Sequence, residues 1–116
     1  MEYIRKEYKL SIKELKDYLI NKVYGFDIEK QNIEELKEIL VIYFKKENEE
    51  LQIEELSKIK VLNTLKNNIE VDIIIGNPPY VNIRVMDKDN LEFLRKNYKS
   101  CEKGNIDLYY AFIEYA

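Results

Sequence analysis

The stretch Val71-Asp72-Ile73-Ile74-Ile75-Gly76-Asn77-Pro78-Pro79-Tyr80 decides how this chain is read. Its first half is almost continuously apolar and β-branched, the pattern of a strand covered on both faces. Its second half cannot continue a sheet, because successive prolines bring no backbone N–H to a ladder. A buried strand is therefore predicted to stop at Gly76. A stiff turn follows, with an asparagine before it and an aromatic ring after it.

Working outward, Val23-Tyr24-Gly25-Phe26-Asp27-Ile28 and Ile59-Lys60-Val61-Leu62 read as short strands. Between them, Ile33, Leu36, Ile39, Leu40 and Phe44 recur at helical spacing and predict a helix over 30–44. The polar run KKENEELQIEELSK reads as a loop or a surface helix. Near the start, Ser11 and Glu14 fit a capping box, in which each side chain satisfies the other's backbone N–H. Ile12, Leu15 and Leu19 share one face of the helix that follows, with Ile4 and Tyr8 extending the stripe upstream. Asp87 is predicted to cap a helix over about 88–99 that carries Leu91, Leu94 and Tyr98. Gly104 breaks it, and Asn105 or Asp107 opens a last helix through Ala116. Strands alternating with helices indicate an α/β class with a mainly parallel sheet and flanking helices. Ligands of such sheets sit at the carboxyl ends of the strands. Asp27 and the Asn77–Tyr80 turn both fall at such ends. No repeat or low-complexity linker divides the chain.

Composition narrows the function. The chain has 116 residues, 35% of them charged and 46% hydrophobic, with 14.0 kDa of mass, which fits one globular domain or a piece of one. No apolar run approaches the length of a membrane span and the first residues contain no signal-like apolar core, so a cytosolic compartment is expected. Cys101 is the single cysteine and there is no histidine, which excludes a disulfide framework, a cysteine zinc cluster and any Ser-His-Asp or Cys-His device. The net charge of −3 is not that of an evident nucleic-acid binder. It hides a gradient: residues 34–60 are rich in glutamate, whereas 81–103 carry Arg84, Lys88, Arg95, Lys96, Lys99 and Lys103. Two solvated helix faces account for that gradient without any partner.

Asn77-Pro78-Pro79-Tyr80 is the constellation that carries chemistry. The prolines fix the backbone and leave carbonyl acceptors without competing donors. The Asn77 amide adds another acceptor oxygen, and Tyr80 adds a flat stacking surface. The set suits a planar group bearing an NH2, such as a nucleobase amine. An exocyclic adenine amine is a poor nucleophile because its lone pair is delocalised into the ring. The Asn77 amide oxygen and the Pro78 carbonyl can accept both of its N–H groups, draw the nitrogen toward tetrahedral geometry and localise that lone pair. Attack on an activated methyl then needs positioning and electrostatics, and no strong base. Tyr80 would stack on a base flipped out of a duplex. The bland reading is a strand-ending turn. By average residue usage an Asn-Pro-Pro-aromatic run arises in about one chain in a thousand of this length.

The motif DIIIGNPPYV resembles the catalytic motif of amino-group-specific DNA methyltransferases, and more narrowly of adenine-specific, TaqI-like methylases of restriction-modification systems. GFDIEKQNIEELKEIL is similar to that family's second cofactor strand and following helix, KIKVLNTL to its third strand, and GNIDLYYAFIE to the helix after the catalytic loop. The resemblance covers about residues 18–116, in the family's order. It implies a partial Rossmann-like fold that uses S-adenosylmethionine and acts on a flipped adenine in double-stranded DNA. It also implies roles. Asn77, Pro78, Pro79 and Tyr80 form the catalytic turn. Asp27 holds the ribose hydroxyls of the cofactor, Ile28 packs on its adenine, Asn63 hydrogen-bonds that adenine and Phe112 contacts its ring. The ordinary readings are a helix cap for Asp27, a turn residue for Asn63 and core for Phe112.

The family's glycine-rich cofactor loop has no counterpart, since the glycines are Gly25, Gly76 and Gly104 alone. The resemblance therefore implies that residues 1–116 are a fragment of a single catalytic domain, lacking the first strand and the target-recognition region. In the family's sheet that first strand lies between the second and the fourth. Either the Val71 strand moves into its place or the sheet stays split and exposes apolar edges. Weak cofactor affinity and a need for a complementary polypeptide are expected. The competing readings are a non-catalytic protein-interaction remnant, and methylation of a glutamine side chain or of an amine in RNA.

Overall fold

The computed structural model describes residues 2–116, with the side chains of Ile4 and Ile83 outside the described residues. The chain packs as two compact units divided between Thr64 and Leu65, each with a core of its own. No glycine or proline marks that division, and the sequence shows no boundary there.

In the first unit, helix α1 (Glu2–Glu7) ends where Lys9 takes a left-handed backbone (φ 53°), so Tyr8 leaves the predicted stripe and lies exposed. Helix α2 (Ile12–Lys22) starts as the sequence predicts. Ser11 accepts from the Glu14 N–H, and the Glu14 carboxylate accepts from the Ser11 N–H at 2.8 Å. Leu15 and Leu19 are buried on its inner face. Strand β1 (Gly25–Asp27) leads into helix α3 (Lys30–Lys46), and strand β2 (Ile59–Val61) returns parallel to β1, with Gly25 opposite Ile59 and Asp27 opposite Val61. The polar stretch between α3 and β2 holds a short 3-10 turn (Ile53–Glu55).

Helix α3 lies against both strands and buries Ile33, Leu40 and Phe44, which with Leu15, Leu19, Leu51, Leu56 and Ile59 make the core. Leu36 and Ile39 were expected on the same face and are exposed instead. The cause is angular: at 3.6 residues per turn Ile39 points about 120° away from Ile33, too far round to reach the sheet. Asn48, in the left-handed region (φ 58°), ends α3, and the Glu49 N–H returns to the Phe44 carbonyl at 2.9 Å.

In the second unit, Asp87 caps helix α4 (Lys88–Asn97) by accepting from the Asn90 N–H at 2.8 Å, and Asp107 caps helix α5 (Leu108–Tyr115). Of the two openings predicted for the last helix, Asp107 is the one used. Helix α4 ends earlier than expected, where Tyr98 takes an extended backbone, and a 3-10 turn (Lys99–Cys101) follows; Gly104, with φ of +84°, lies beyond that turn and is not what stops the helix. The core comprises Leu65, Leu94, Tyr98, Cys101, Ile106 and Ala111. The Tyr98 hydroxyl donates to the Leu65 carbonyl at 2.6 Å.

One expectation fails. Val71–Ile75 is not a strand: it has no regular structure, and Ile73 and Ile75 are 78% and 94% exposed. Among the described residues the sheet consists of β1 and β2. A strand exists only where a neighbour accepts its backbone hydrogen bonds, and its apolar faces are buried only where layers cover them. The architecture is thus a mixed α/β chain with a two-stranded parallel sheet.

Candidate functional site

The predicted site residues fall into two groups, one in each unit. In the first, the parallel pairing sets the carboxyl ends of β1 and β2 side by side, and the Leu62 N–H donates to the Asp27 carbonyl at 2.9 Å. Asp27 ends β1, and Asn63 follows the end of β2 and is half-buried. The Asp27 carboxylate accepts from the Glu29 N–H at 2.8 Å and from the Asn32 amide at 3.0 Å. These bonds, the backbone one first, hold its pKa below the usual carboxylate range, so it is ionised at neutral pH. The turn-forming role and the ligand-holding role are compatible. A carboxylate offers about four acceptor positions, and the two bonds to the start of α3 leave others for a diol. Beside it Ile28 is 65% exposed, an apolar surface next to the acceptor. An acidic acceptor, an accessible aliphatic face and an amide on the adjoining strand end together fit the ribose and ring of a nucleoside-bearing cofactor. Among the described residues no cluster of three or more His, Cys, Asp or Glu is placed to hold a metal.

In the second unit, Asn77 and Pro79 are exposed, Pro78 is half-buried and Tyr80 is 77% exposed. Residues 76–80 form no turn or bend, contrary to the expected stiff turn, but an irregular segment that is tethered on its downstream side. Asn82 pairs with Asp107 as an antiparallel bridge, and the Leu108 N–H donates to the Val81 carbonyl at 2.8 Å. The start of α5 is thereby fixed to the chain directly after Tyr80. The Tyr80 ring meets that of Tyr109 (centroids 5.5 Å apart, planes at 52°), and Tyr109 meets Tyr110 at 4.5 Å. The Tyr109 hydroxyl is pushed above its ordinary range, first by its hydrogen bond to the Tyr110 side chain and then by burial. Phe112 is half-buried and packs against the core of this unit. Two surface depressions of about 450 and 390 Å³ are lined by residues of the Val41–Gln52 and Leu10–Lys22 regions, and neither includes a sequence-predicted site residue.

Sequence reasoning missed Asn32, Asn82, Tyr109 and Tyr110. Asn32 was findable, since an asparagine one turn into the helix after Asp27 can reach back to it. The meeting of Tyr80 with Tyr109 left no local signal, because the residues are far apart in the chain.

The profile of the Eco57I restriction-modification methylase family matches residues 21–116. The chain belongs to that family. It is also similar to the Type II methyltransferase M.BanIII of Aneurinibacillus aneurinilyticus, with 46% identity over 43 residues. That alignment covers 37% of this chain and 7% of the relative. No solved structure matches the chain. No helix among the described residues is long and apolar enough to cross a membrane.

Proposed function

We propose that these residues are the catalytic part of an adenine-specific DNA methyltransferase of a restriction-modification system. Its substrate is the exocyclic N6 amine of an adenine flipped out of double-stranded DNA. The 116 residues are, in this reading, a portion of one catalytic domain with a Rossmann-like fold. A glycine-rich cofactor loop and a target-recognition region come from further segments, in the same polypeptide or a complementary one. The observation that carries the reading is Asn77-Pro78-Pro79-Tyr80 itself. In a chain of this methylase family, a carboxamide and prolyl carbonyls stand beside an accessible aromatic ring.

S-adenosylmethionine, when bound, supplies a methyl group made electrophilic by its sulfonium. Asp27 would accept from the ribose hydroxyls, Ile28 would cover one face of the cofactor adenine, and Asn63 would hydrogen-bond that adenine; the family resemblance gives Phe112, in the other unit, a contact with the cofactor ring. The Asn77 amide oxygen and the Pro78 carbonyl accept the two N–H groups of the target amine and localise its lone pair toward the methyl. Tyr80 stacks on the flipped base and holds its plane. The methylated nitrogen would carry a positive charge and lose one proton to water, which needs no histidine as base.

The test is methyl transfer from radiolabelled S-adenosylmethionine to duplex DNA, with nucleoside analysis of the product. The chain is assayed alone and together with a polypeptide that carries the glycine-rich loop. N6-methyladenine is expected in the complemented reaction and is expected to vanish with Asn77→Ala. Undiminished product from Asn77→Ala overturns the assignment. The alternative of a non-catalytic interaction module draws support from the exposed Val71–Ile75 segment. It predicts partner binding that is indifferent to Asn77.

A further inference from the structure

We propose that Tyr109 is a positioning residue for Tyr80, bracing its exposed ring so that one face stays presented to an incoming planar base. The proposal rests on the amine-methylation reading and adds to it the residue that sets the orientation of the stacking surface.

The Tyr80 ring is 77% exposed. A solvent-facing aromatic side chain exchanges among staggered rotamers, and only those that meet the base squarely are productive. Any rotamer freedom lost on binding weakens the stack, so a ring already held in place stacks more effectively. Tyr109 supplies a tilted contact at 5.5 Å and 52°, within the range of favourable aromatic pairs. The brace is itself held. Its ring lies against Tyr110 at 4.5 Å, and its backbone N–H donates to the Asp107 carboxylate at 3.3 Å. Asp107 is bridged to Asn82, and the Leu108 N–H reaches the Val81 carbonyl. Brace and braced ring thus share one anchor, immediately after Tyr80 and immediately before Tyr109. Tyr109 is half-buried at the edge of its unit, and a purely packing role would show as altered stability with no effect on Tyr80.

The experiment compares Tyr109→Leu, Tyr109→Met and Tyr109→Phe. The first measurement is made on the chain itself. NMR of ring-labelled tyrosine reports the χ1 populations of Tyr80 and its ring-to-ring contact with residue 109. The expected result is one dominant Tyr80 rotamer in the unaltered chain and with Tyr109→Phe, and averaged rotamers with Tyr109→Leu and Tyr109→Met. The second measurement is the complemented methylation assay. Loss of the ring is expected to lower kcat about ten- to a hundredfold, with the KM for cofactor unchanged and rescue by Tyr109→Phe. Unchanged Tyr80 rotamers in whichever of the two aliphatic variants is folded overturn the proposal, as does undiminished kcat alongside averaged rotamers. Failure of the underlying reading looks different, since Tyr80→Ala would then leave methylation intact.

Discussion

Replacing Tyr98 with phenylalanine removes one buried hydroxyl and nothing else. Tyr98 is 9% exposed, and its hydroxyl donates to the Leu65 carbonyl at 2.6 Å, joining the first residue of the second unit's core to the end of α4. The ring stays in Tyr98→Phe, so no cavity forms and the loss is that of the hydrogen bond, about 1 kcal/mol net. Tyr80 is the control within the same unit. It is 77% exposed, so Tyr80→Phe deletes a hydroxyl that water already solvates, and the change stays within about 0.5 kcal/mol. Urea denaturation followed by circular dichroism reads both. With a slope of about 1–3 kcal/mol per molar for a small protein, the Tyr98 variant's midpoint falls by about 0.3–1 M. Alkaline titration adds a signed test. Burial pushes the Tyr98 hydroxyl above its ordinary pKa. Its contribution to stability is therefore whole below about pH 10, the unfolded value, and is lost as pH rises through the folded one. Tyr98→Phe removes that part of the alkaline decline. Equal midpoints for Tyr98→Phe and the unaltered chain, or an equal fall for Tyr80→Phe, would refute the division of these tyrosines into one whose hydroxyl is buried and bonded and one whose hydroxyl is solvated.

Phe44 is fully buried beneath the sheet, and Phe44→Ala is expected to cost about 3–5 kcal/mol, enough to unfold the first unit in mild denaturant; a change under about 1 kcal/mol would contradict the core described above. The Asp27 carboxyl is held below its ordinary pKa by the Glu29 N–H and by Asn32. What it adds to stability is present above the unfolded value, about pH 4, and fades as pH falls through the folded one. Asn32→Ala should move the Asp27 pKa back upward, as read from its carboxyl carbon shift by NMR. Calorimetric titration of the chain alone with S-adenosylmethionine should show no micromolar binding, because no glycine-rich loop lies within these residues.

Most of the local structure is legible from short-range chemistry. Ser11 with Glu14, Asp87 with Asn90, and Asp107 ahead of Leu108 start helices through bonds made within one turn, so their sequence neighbours suffice to announce them. The two short strands at Gly25–Asp27 and Ile59–Val61 and the helix between them follow from hydropathy period and from punctuation. The stiffness of Asn77–Tyr80 is legible for the same reason: successive prolines restrict a backbone whatever surrounds them.

Residue order by itself determined where the capped helices begin, which residues form a proline-stiffened segment with free carbonyl acceptors, and that an acid stands at the end of β1. Only the tertiary structure decided that Val71–Ile75 goes unpaired and that Tyr109 comes to rest against Tyr80. Caps and prolines act over a few bonds. A ladder partner, a covering layer and a ring-to-ring contact must be brought from distant parts of the chain, and no local pattern specifies whether they arrive.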